Sequence, residues 1–400
     1  MTQTILDALV ILGAATVASI ITGAHERIRA PVVVAEVALG ILIGPQVLHL
    51  ASVGPGVTLF SNFGLAFLFF FAGYEIDVQR IAGRPLRLAG LTWAVSVVLA
   101  LAVAGLLQAV HVTGAFQYVG LAMATTAMGT LIPVLRDAGE FDTPFGTYLL
   151  AVGAVGEFGP IVLAALFLNE DRRTIVSALI LNAFVLVVLA GVLLVRHWRP
   201  QVIARLVRET MHSSAQLAVR LSLLGLVAFS VLAQVAGFDF YLGAFAAGLI
   251  VAQAVRAAGD PPEAEHLSTK YAGIGFGLFI PVFFIVTGMN FDLRGLLANP
   301  TELALVPLFL ALFFVVRGVP SVALYRRALE PRRRGALAFF AATELPLVVA
   351  ITEQGVQAHK LSAGTSAAMV GAAMLSVLVF PLVFLRLRGQ RQSSSAGDRA

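Results

Sequence analysis

FLFFFAGYEID, residues 67–77, and PVFFIVTGMNFD, residues 281–292, are two apolar stretches that share the pattern F-x-x-x-G-x-x-x-D. The pattern aligns three pairs of residues: Phe69 with Phe284, Gly73 with Gly288, and Asp77 with Asp292. A second pair of stretches, AEVALGILIG (35–44) and GAFAAGLIVA (243–252), aligns Gly40 with Gly248. Two matches in the same order along the chain predict an internal repeat.

The amino-acid composition places these stretches in a membrane. Hydrophobic residues make up 59% of the 400 residues, charged residues only 12%, and the mean hydropathy is +0.92, which excludes an ordinary soluble protein. A helix needs roughly 20 predominantly apolar residues to cross a bilayer. Such runs fill the chain at 5–23, 30–50, 57–76, 86–110, 115–135, 146–168, 174–195, 217–236, 239–256, 271–290, 303–325, 335–352 and 361–385. We therefore predict an all-α polytopic membrane protein with about 13 transmembrane helices.

The repeated stretches predict two six-helix copies in opposite orientations. With the spans numbered in chain order, seven spans separate the members of each aligned pair, and an odd separation inverts the second copy. The repeat then covers spans 1 to 6 and spans 8 to 13, and span 7 links the copies. Inverted-topology repeats are typical of secondary transporters, whose substrates bind near the bilayer midplane at discontinuous helices.

Spans 5 and 12 occupy equivalent places in the two copies and are the predicted pair of broken, crossing helices. Both carry polar and helix-breaking residues in mid-span: Thr125, Thr126, Gly129, Thr130 and Pro133 in span 5, and Thr343, Glu344 and Pro346 in span 12. Such residues loosen the backbone hydrogen-bond ladder, and freed carbonyl groups at membrane depth are tolerated where they are buried in protein or line a cavity. The alternative is a proline kink in each helix, with threonine hydroxyls capping the freed groups.

The distribution of lysine and arginine predicts the orientation in the membrane. With the N-terminus outside, the loops and tail on the cytoplasmic side hold 22 of the 27 basic residues, and the opposite loops hold four. This bias follows the positive-inside rule in one orientation only. We predict a multi-pass protein of the plasma membrane with a cytoplasmic C-terminus. The isoelectric point near 10.0 then reflects topology beside anionic lipid, and no nucleic-acid partner is expected.

Ionisable residues inside the spans are the candidate functional groups. A charge at the bilayer centre costs about 2.5–3.5 kcal/mol on insertion scales and usually marks function. Glu157 is central in span 6, within VGAVGEFGPIVL (152–163). Arg317 is central in span 11, and Glu344 lies in the break of span 12. Glu36 lies nearer one end of span 2, where a structural role explains it equally well. Four further acids lie at helix ends, where water and helix termini can satisfy them: Glu75, Asp77, Asp239 and Asp292.

Several classes of protein are excluded by what the chain lacks. It has no cysteine, which excludes disulfides, thiolate metal sites and cysteine nucleophiles. Its 7 histidines lie in loops or near span ends, and no two have metal-ligand spacing on one helix. The sequence shows no paired catalytic carboxylates and no nucleophile motif. We therefore predict no cofactor and no metal beyond a monovalent cation, and an integral-membrane enzyme is a weak alternative.

Four motifs, in order along the chain, resemble the monovalent cation:proton antiporter-2 family, whose members have a sodium/proton exchanger-like membrane domain. They are PVVVAEVALGILIGP (31–45), FFFAGYEID (69–77), YLGAFAAGLIVA (241–252) and PVFFIVTGMNFD (281–292). The resemblance covers essentially the whole membrane domain. It implies a homodimer in which a mobile six-helix core moves against a dimerisation domain by elevator-like alternating access.

The resemblance and the repeat together predict a division of the chain. Residues 1–110 form dimerisation spans 1 to 3 and core span 4, 111–173 form core spans 5 and 6 with the ion site, and 174–216 form a linker helix and cytoplasmic loop. Residues 217–300 form dimerisation spans 8 to 10, 301–387 form core spans 11 to 13, and 388–400 form a disordered tail.

The same resemblance implies the location of the ion site. Members of the family carry Asp-Asp, or another residue followed by Asp, at the position of Gly156 and Glu157 in this chain. Glu157 matches the essential carboxylate with a side chain one methylene longer, and the first acid is absent. Arg317 stands where the family often has a basic residue that can pair with that acid. Thr125 and Thr126 lie in a segment that resembles the family's unwound helix beside the ion site.

These expectations define a hypothesis for function. A desolvated carboxylate can hold a proton near neutral pH or release it to bind a cation. Glu157 would therefore exchange a proton for Na⁺ or K⁺, with Thr125, Thr126 and loosened carbonyl groups as further oxygen ligands. Because the pair Gly156-Glu157 contains only one acid, we predict electroneutral exchange of one cation for one proton. Thr130 and Thr343 are additional candidate site residues.

Two questions stay open at the level of sequence. Arg317 is always charged and cannot carry protons; it pairs with Glu344, balances a helix terminus, or forms a competing ion pair with Glu157. The substrate is the second question. The same fold could export an organic cation or metabolite, act as a cation-coupled symporter, or form a cation channel.

Overall fold

The computed structural model describes residues 2–23, 31–168, 174–197, 216–258 and 261–388, and the regular elements in these ranges are all helices. The first nine are α1 Thr2–Gly23, α2 Val32–Ile43, α3 Pro55–Glu75, α4 Val78–Ile81, α5 Arg84–Ala109, α6 Phe116–Met123, α7 Met128–Asp137, α8 Pro144–Phe167 and α9 Thr174–His197. The remaining ten are α10 Leu217–Val235, α11 Phe240–Ala258, α12 Pro261–Ile274, α13 Ile280–Asn290, α14 Leu293–Ala298, α15 Pro300–Phe313, α16 Val319–Leu324, α17 Pro331–Ala341, α18 Pro346–Gln357 and α19 Ala363–Leu387.

Three short turns of other helical types continue these elements. One π-helical turn, Gly275–Phe279, joins α12 to α13, and another, Phe314–Gly318, joins α15 to α16. A 3-10 turn, Tyr325–Arg327, follows α16. Of the predicted tail, 388–400, only Arg388 is among the described residues, and most of the predicted cytoplasmic loop after α9 lies outside them.

The predicted spans correspond to helices. In the described ranges, 10 helical segments are long and apolar enough to cross a membrane. Three shorter apolar helices, Val32–Ile43, Phe116–Ile132 and Phe240–Arg256, fall on the other predicted spans. The all-α polytopic fold is therefore confirmed. α2 is shorter than its predicted span because Gly44 precedes Pro45 and is extended, the conformation that a residue before proline favours.

Two helix crossings bring backbones into direct contact at glycine, and small residues allow such close approach between membrane helices. α2 crosses α13, and α3 crosses α11. A Cβ atom on the crossing glycine would meet a carbonyl oxygen of the partner helix at these distances: Gly40 to Ile285 2.1 Å, Gly288 to Val37 2.1 Å, Gly73 to Phe245 2.1 Å and Gly248 to Phe70 2.0 Å. The predicted repeat aligns Gly40 of α2 with Gly248 of α11, and Gly73 of α3 with Gly288 of α13. The crossing of α2 with α13 in the first pair therefore corresponds to the crossing of α11 with α3 in the second.

The other residues of the repeated pattern also have matching roles. Phe69 and Phe284 are fully buried. Asp77 caps α4 by accepting hydrogen bonds from two backbone N–H groups, and Asp292 caps α14 in the same way through the Gly295 N–H at 3.0 Å. Each stretch therefore contains the end of a membrane helix with a glycine at a close crossing, followed by an aspartate that caps the start of a short helix.

The helices pack as two groups. In one group, α3 packs on α11 and α13, α2 on α1 and α13, and α10 on α11. In the other, α5 packs on α6 and α8, α19 on α15 and α17, and α18 on α6. Contacts between the groups are fewer and include α3 with α7 and α2 with α19. A cavity of ≈ 320 Å³ separates the groups where α3 begins and α18 ends. Its polar lining includes Ser61, Asn62 and Asn290 from the first group and Thr352, Glu353 and Ser366 from the second.

Gly248→Ala should lower the free energy of unfolding by about 1–3 kcal/mol, because the added methyl group forces two helix backbones apart. Gly225→Ala in α10 is the matched control, since nothing lies within 4 Å of a Cβ built there. Thermal unfolding of the purified protein in detergent measures both. A midpoint for Gly248→Ala equal to that of the control would contradict the close crossing of α3 and α11.

Candidate functional site

Both predicted helix breaks are present, and they meet. Residues 124–127 separate α6 from α7, and residues 342–345 separate α17 from α18. The Ala127 N–H donates a hydrogen bond to the Thr343 carbonyl oxygen at 2.8 Å. The two nonhelical segments therefore cross, and the first satisfies one backbone carbonyl group of the second, as irregular structure buried at membrane depth requires.

The threonines of the breaks have two different roles. Three hydroxyl groups cap carbonyl groups in their own segment: Thr125 to Ala122 at 3.0 Å, Thr130 to Ala127 at 3.0 Å and Thr343 to Phe339 at 2.9 Å. The Thr126 hydroxyl instead donates across the site to the Ala341 carbonyl oxygen at 2.7 Å. Threonine capping is thus real, but it accompanies broken helices and not simple proline kinks.

Glu157 lies in the middle of α8, beside the first break. Its side chain is 3% exposed, and Oε2 has no hydrogen-bond partner among the described residues. The Met128 backbone N–H, in the first turn of α7, lies beside the Glu157 carboxylate. A Cβ on Gly153 would be 3.2 Å from the Met128 side chain, so α7 packs closely on α8 one turn away. The N-terminal end of α7 therefore directs its partial positive charge toward the carboxylate.

Gly156 makes room for the Arg317 side chain next to Glu157. A Cβ on Gly156 would lie 2.3 Å from Arg317 Nη2 and 2.5 Å from Thr126 Oγ1. Arg317 is fully buried in a π-helical turn, a feature frequent at functional sites. Its Nε donates to the Thr125 carbonyl oxygen at 3.1 Å, and its Nη2 donates to Thr126 Oγ1 at 2.6 Å. A guanidinium group thus occupies the place beside the first position of the Gly-Glu pair.

Glu344 lies in the second break, and its position is fixed through the backbone. Its N–H donates to Ser376 Oγ at 2.9 Å, and this hydroxyl donates back to the Glu344 carbonyl oxygen at 3.0 Å. Within the described ranges, neither carboxylate oxygen has a hydrogen-bond partner. The Thr125 side chain lies beside this carboxylate, and Arg317 interacts with it electrostatically.

Arg317 is therefore held by threonine oxygens and balanced by Glu344 without a direct ion pair. No contact of 4.0 Å or less joins Arg317 to Glu344 or to Glu157 in the part of the chain that the structure describes. Of the two proposed partners, only Glu344 contributes to the electrostatic environment of Arg317. The break segments, Glu157, Gly156, Arg317 and Glu344 form one cluster.

Glu36 lies apart from this cluster. It is on α2, which packs against α1 and α13, and is 1% exposed. Its Oε2 has no hydrogen-bond partner among the described residues. The structure does not bring Glu36 together with the other candidates.

Glu75 is an acid that the sequence analysis assigned only to a helix end. It is the last residue of α3, and its carboxylate is close enough to Glu157 for the two charges to repel each other. Arg136, at the end of α7, attracts the Glu75 carboxylate. Helices far apart in sequence create this neighbourhood, so neither spacing nor composition could indicate it.

Comparison with known proteins identifies similar chains. The family model described as "Sodium/hydrogen exchanger, transmembrane" matches residues 13–386. The chain is 26% identical over 379 residues to the putative Na(+)/H(+) antiporter YjbQ of Bacillus subtilis (strain 168), covering 90% of this chain and 59% of that protein. It is 26% identical over 279 residues to the Na(+)/H(+)-K(+) antiporter GerN of Bacillus cereus, covering 68% of each chain.

Two further similarities extend over nearly the whole chain. The glutathione-regulated potassium-efflux system protein KefC of Shigella sonnei (strain Ss046) is 25% identical over 431 residues, which cover 99% of this chain and 62% of that protein. The structure of the sodium proton antiporter MjNhaP1 from Methanocaldococcus jannaschii at pH 8 superposes with a TM-score of 0.68 at 18% identity. It covers 96% of this chain and 99% of that one, which shows a shared fold. The chain spans only 59% of YjbQ and 62% of KefC.

Arg317→Lys should lower the free energy of unfolding by about 1.5–3 kcal/mol, because a lysine cannot reproduce the forked donation to Thr125 and Thr126. Arg326→Lys, an exposed position in the turn after α16, is the matched control. Thermal unfolding in detergent should give a lower midpoint for Arg317→Lys alone. Equal midpoints for the two variants would show that the buried fork contributes nothing to stability.

Proposed function

The chain belongs to the sodium/hydrogen exchanger transmembrane family, and from that premise we propose that it exchanges a monovalent cation, Na⁺ or K⁺, for a proton across the plasma membrane. The observation that carries this proposal is the Glu157 carboxylate, buried beside two crossing nonhelical segments, with one oxygen unpaired among the described residues. The names of similar antiporters support the same activity. An enzymatic function is set aside, because the family consists of transporters.

Glu157 is the group that holds the proton and the cation in turn. A buried carboxylate favours neutralisation by one of the two, and binding of either excludes the other. Na⁺ and K⁺ require several oxygen ligands, and the Thr125 hydroxyl group retains acceptor lone pairs beside the site. Thr126 Oγ1 accepts from both Arg317 Nε and Nη2, so it could bind the cation only by giving up one of these bonds. Carbonyl groups of the break segments supply further oxygens. Competition for Glu157 therefore couples the two ions.

Gly156 and Arg317 limit the site to one exchangeable charge. Because no acid precedes Glu157 in the pair, a single carboxylate titrates there. Arg317 adds a permanent positive charge, held by Thr126 at 2.6 Å and balanced by Glu344. The site carries the same net charge with a proton bound as with a monovalent cation bound. Exchange is therefore electroneutral, one cation for one proton.

The two helix groups supply the moving parts. The group of α5–α8 and α15–α19 carries the whole ion site, and we assign it to the mobile core. The group of α1–α3 and α10–α13 is tied together by glycine crossings and forms the dimerisation domain of a homodimer. The few contacts between the groups and the ≈ 320 Å³ cavity that separates them support elevator-like sliding. The N-terminus lies outside and the C-terminus in the cytoplasm, as the basic residues predict.

Glu157→Gln should abolish exchange and leave the protein folded, because the amide is isosteric but can neither titrate nor neutralise a cation. Everted vesicles loaded with a pH-sensitive dye report proton flux on addition of Na⁺, K⁺, Li⁺ or Rb⁺. Glu330→Gln, an exposed acid that begins α17, is the matched control and should respond like the wild type. Exchange by a folded Glu157→Gln variant would reject the assignment of Glu157 as the group that binds the proton and the cation. A wild-type protein that responds to none of the four cations would favour an organic substrate.

Exchange should also be insensitive to membrane potential. If one net charge crossed in each cycle, an imposed 100 mV would be worth about 2.3 kcal/mol and would change the rate strongly. Proteoliposomes with equal cation and proton gradients, measured with and without an imposed potential, test this point. A rate that follows the potential would reject one-for-one exchange, and cation flux without counterflow of protons would indicate a channel.

A further inference from the structure

Glu75 is a second carboxylate near the ion site, contributed by the other helix group. It ends α3 and is partly exposed, whereas Glu157 is buried in α8. The two carboxylates are close enough to repel each other electrostatically, and no hydrogen bond joins them within the described ranges. Glu75 is thus a titratable group at a helix end that is partly exposed and interacts electrostatically with Glu157.

The packing of α3 on α7 places Glu75 along the path from the site to one membrane surface. A Cβ on Gly129, in the first turn of α7, would contact Leu68 Cδ2 of α3 at 3.9 Å. Seven residues further along each helix come Glu75 and Arg136, on the same faces as Leu68 and Gly129. Seven residues advance a helix by about 10 Å. Met128, at the start of α7, lies beside Glu157. Glu75 is therefore about one seven-residue step from Glu157, in the direction of the C-terminal ends of α3 and α7.

The charged and titratable groups around Glu75 come from several elements. Arg136 on α7, Glu157 on α8 and Tyr74 on α3 itself interact electrostatically with Glu75, and Arg256 on α11 and Tyr271 on α12 interact with the adjacent Tyr74. Arg256 is engaged by the α3 end, where its Nη1 donates to the Ile76 carbonyl oxygen at 2.8 Å. Arg136 lies with its guanidinium 4.9 Å from the centre of the Phe141 ring. In the described part of the chain, neither arginine forms an ion pair of 4.0 Å or less with Glu75.

We infer that Glu75 relays the proton between Glu157 and the water at the C-terminal end of α3. The step rests on the proposed exchange. Glu157 in its acid form transfers one proton to the Glu75 carboxylate through intervening water, because a step of about 10 Å is too long for direct transfer. Glu75 then releases that proton to water and returns to its starting charge, so no other bond forms or breaks. The second acid missing at Gly156 is thereby replaced by one from the opposite helix group.

The relay makes a specific pair of predictions for Glu75→Gln. The maximal exchange rate should fall by about tenfold, because the amide cannot accept the proton. The pH of half-maximal exchange should move about one unit toward lower pH, because loss of a nearby negative charge weakens the hold of Glu157 on its proton. Glu75→Asp keeps a titratable group and should restore most of the rate.

Two controls separate the relay from a purely structural charge interaction. Arg136→Gln removes the arginine that attracts the Glu75 carboxylate and should shift the half-maximal pH in the opposite direction. Glu265→Gln, an exposed acid of α12, changes the charge equally and should behave as wild type. Proteoliposomes with pH varied on one side at a time, together with thermal unfolding of each variant, give the readouts.

The outcomes distinguish the relay from the exchange itself. The relay is supported if Glu75→Gln is slow and shifted while Glu75→Asp is not, and if the pH effect arises from the side of the α3 end. It is overturned if the wild type exchanges, Glu157→Gln is inactive and Glu75→Gln retains the full rate. Equal losses of stability in Glu75→Gln and Arg136→Gln without a pH shift also overturn it. A wild type without any exchange rejects the proposed function itself.

Discussion

The hydrogen bond from the Ala127 N–H to the Thr343 carbonyl oxygen is the interaction on which the site depends. Peptide groups that leave a helix at membrane depth cost several kcal/mol each when they stay unsatisfied. This bond satisfies one donor of the first break and one acceptor of the second, and the Thr126 hydroxyl and Ser376 add further bonds. The crossing therefore holds two helix starts inside the protein. The N-termini of α7 and α18 bring their positive ends beside Glu157 and Glu344.

The charges of the site follow from one small residue. Any side chain at Gly156 would collide with Arg317 and Thr126, so glycine allows the guanidinium to lie against the break. Arg317 donates through Nε and Nη2 to the Thr125 carbonyl group and the Thr126 hydroxyl, whereas its Nη1 has no hydrogen-bond partner among the described residues. Neither carboxylate of the site forms a direct ion pair with Arg317 in that part of the chain. An ion pair with Glu157 would compete with the transported cation. In the proposed exchange, glycine at this position thus separates the permanent charge of Arg317 from the exchangeable charge of Glu157.

Much of this arrangement could be predicted from the chain. The repeated pattern by itself predicts only a repeat, but its glycines are the residues at the helix crossings and its aspartates are the residues that cap α4 and α14, because backbone contact demands glycine and a helix start favours aspartate. Threonine, glutamate and proline in mid-span located the breaks at 124–127 and 342–345. Hydropathy could not indicate the α3–α7 packing that places Glu75 near Glu157, because that neighbourhood joins a helix end to a helix middle across two groups. Hydropathy also could not show that Glu36 lies apart from the site, since the sequence around a buried carboxylate does not indicate to which helix group it belongs.

The position of Glu75 has a consequence for alternating access. In the proposed division, Glu157 belongs to the mobile core, whereas Glu75 ends a helix of the group that contains the crossings of α2 with α13 and α3 with α11. If the core slides by even one helical turn, about 5 Å, their separation changes by a similar amount, while the contacts inside each group are kept. A proton relay between them is then connected in one state of the cycle and interrupted in the other. Release of the proton on one side would be tied to the position of the core, and Glu157 itself would need no second acid on its own helix.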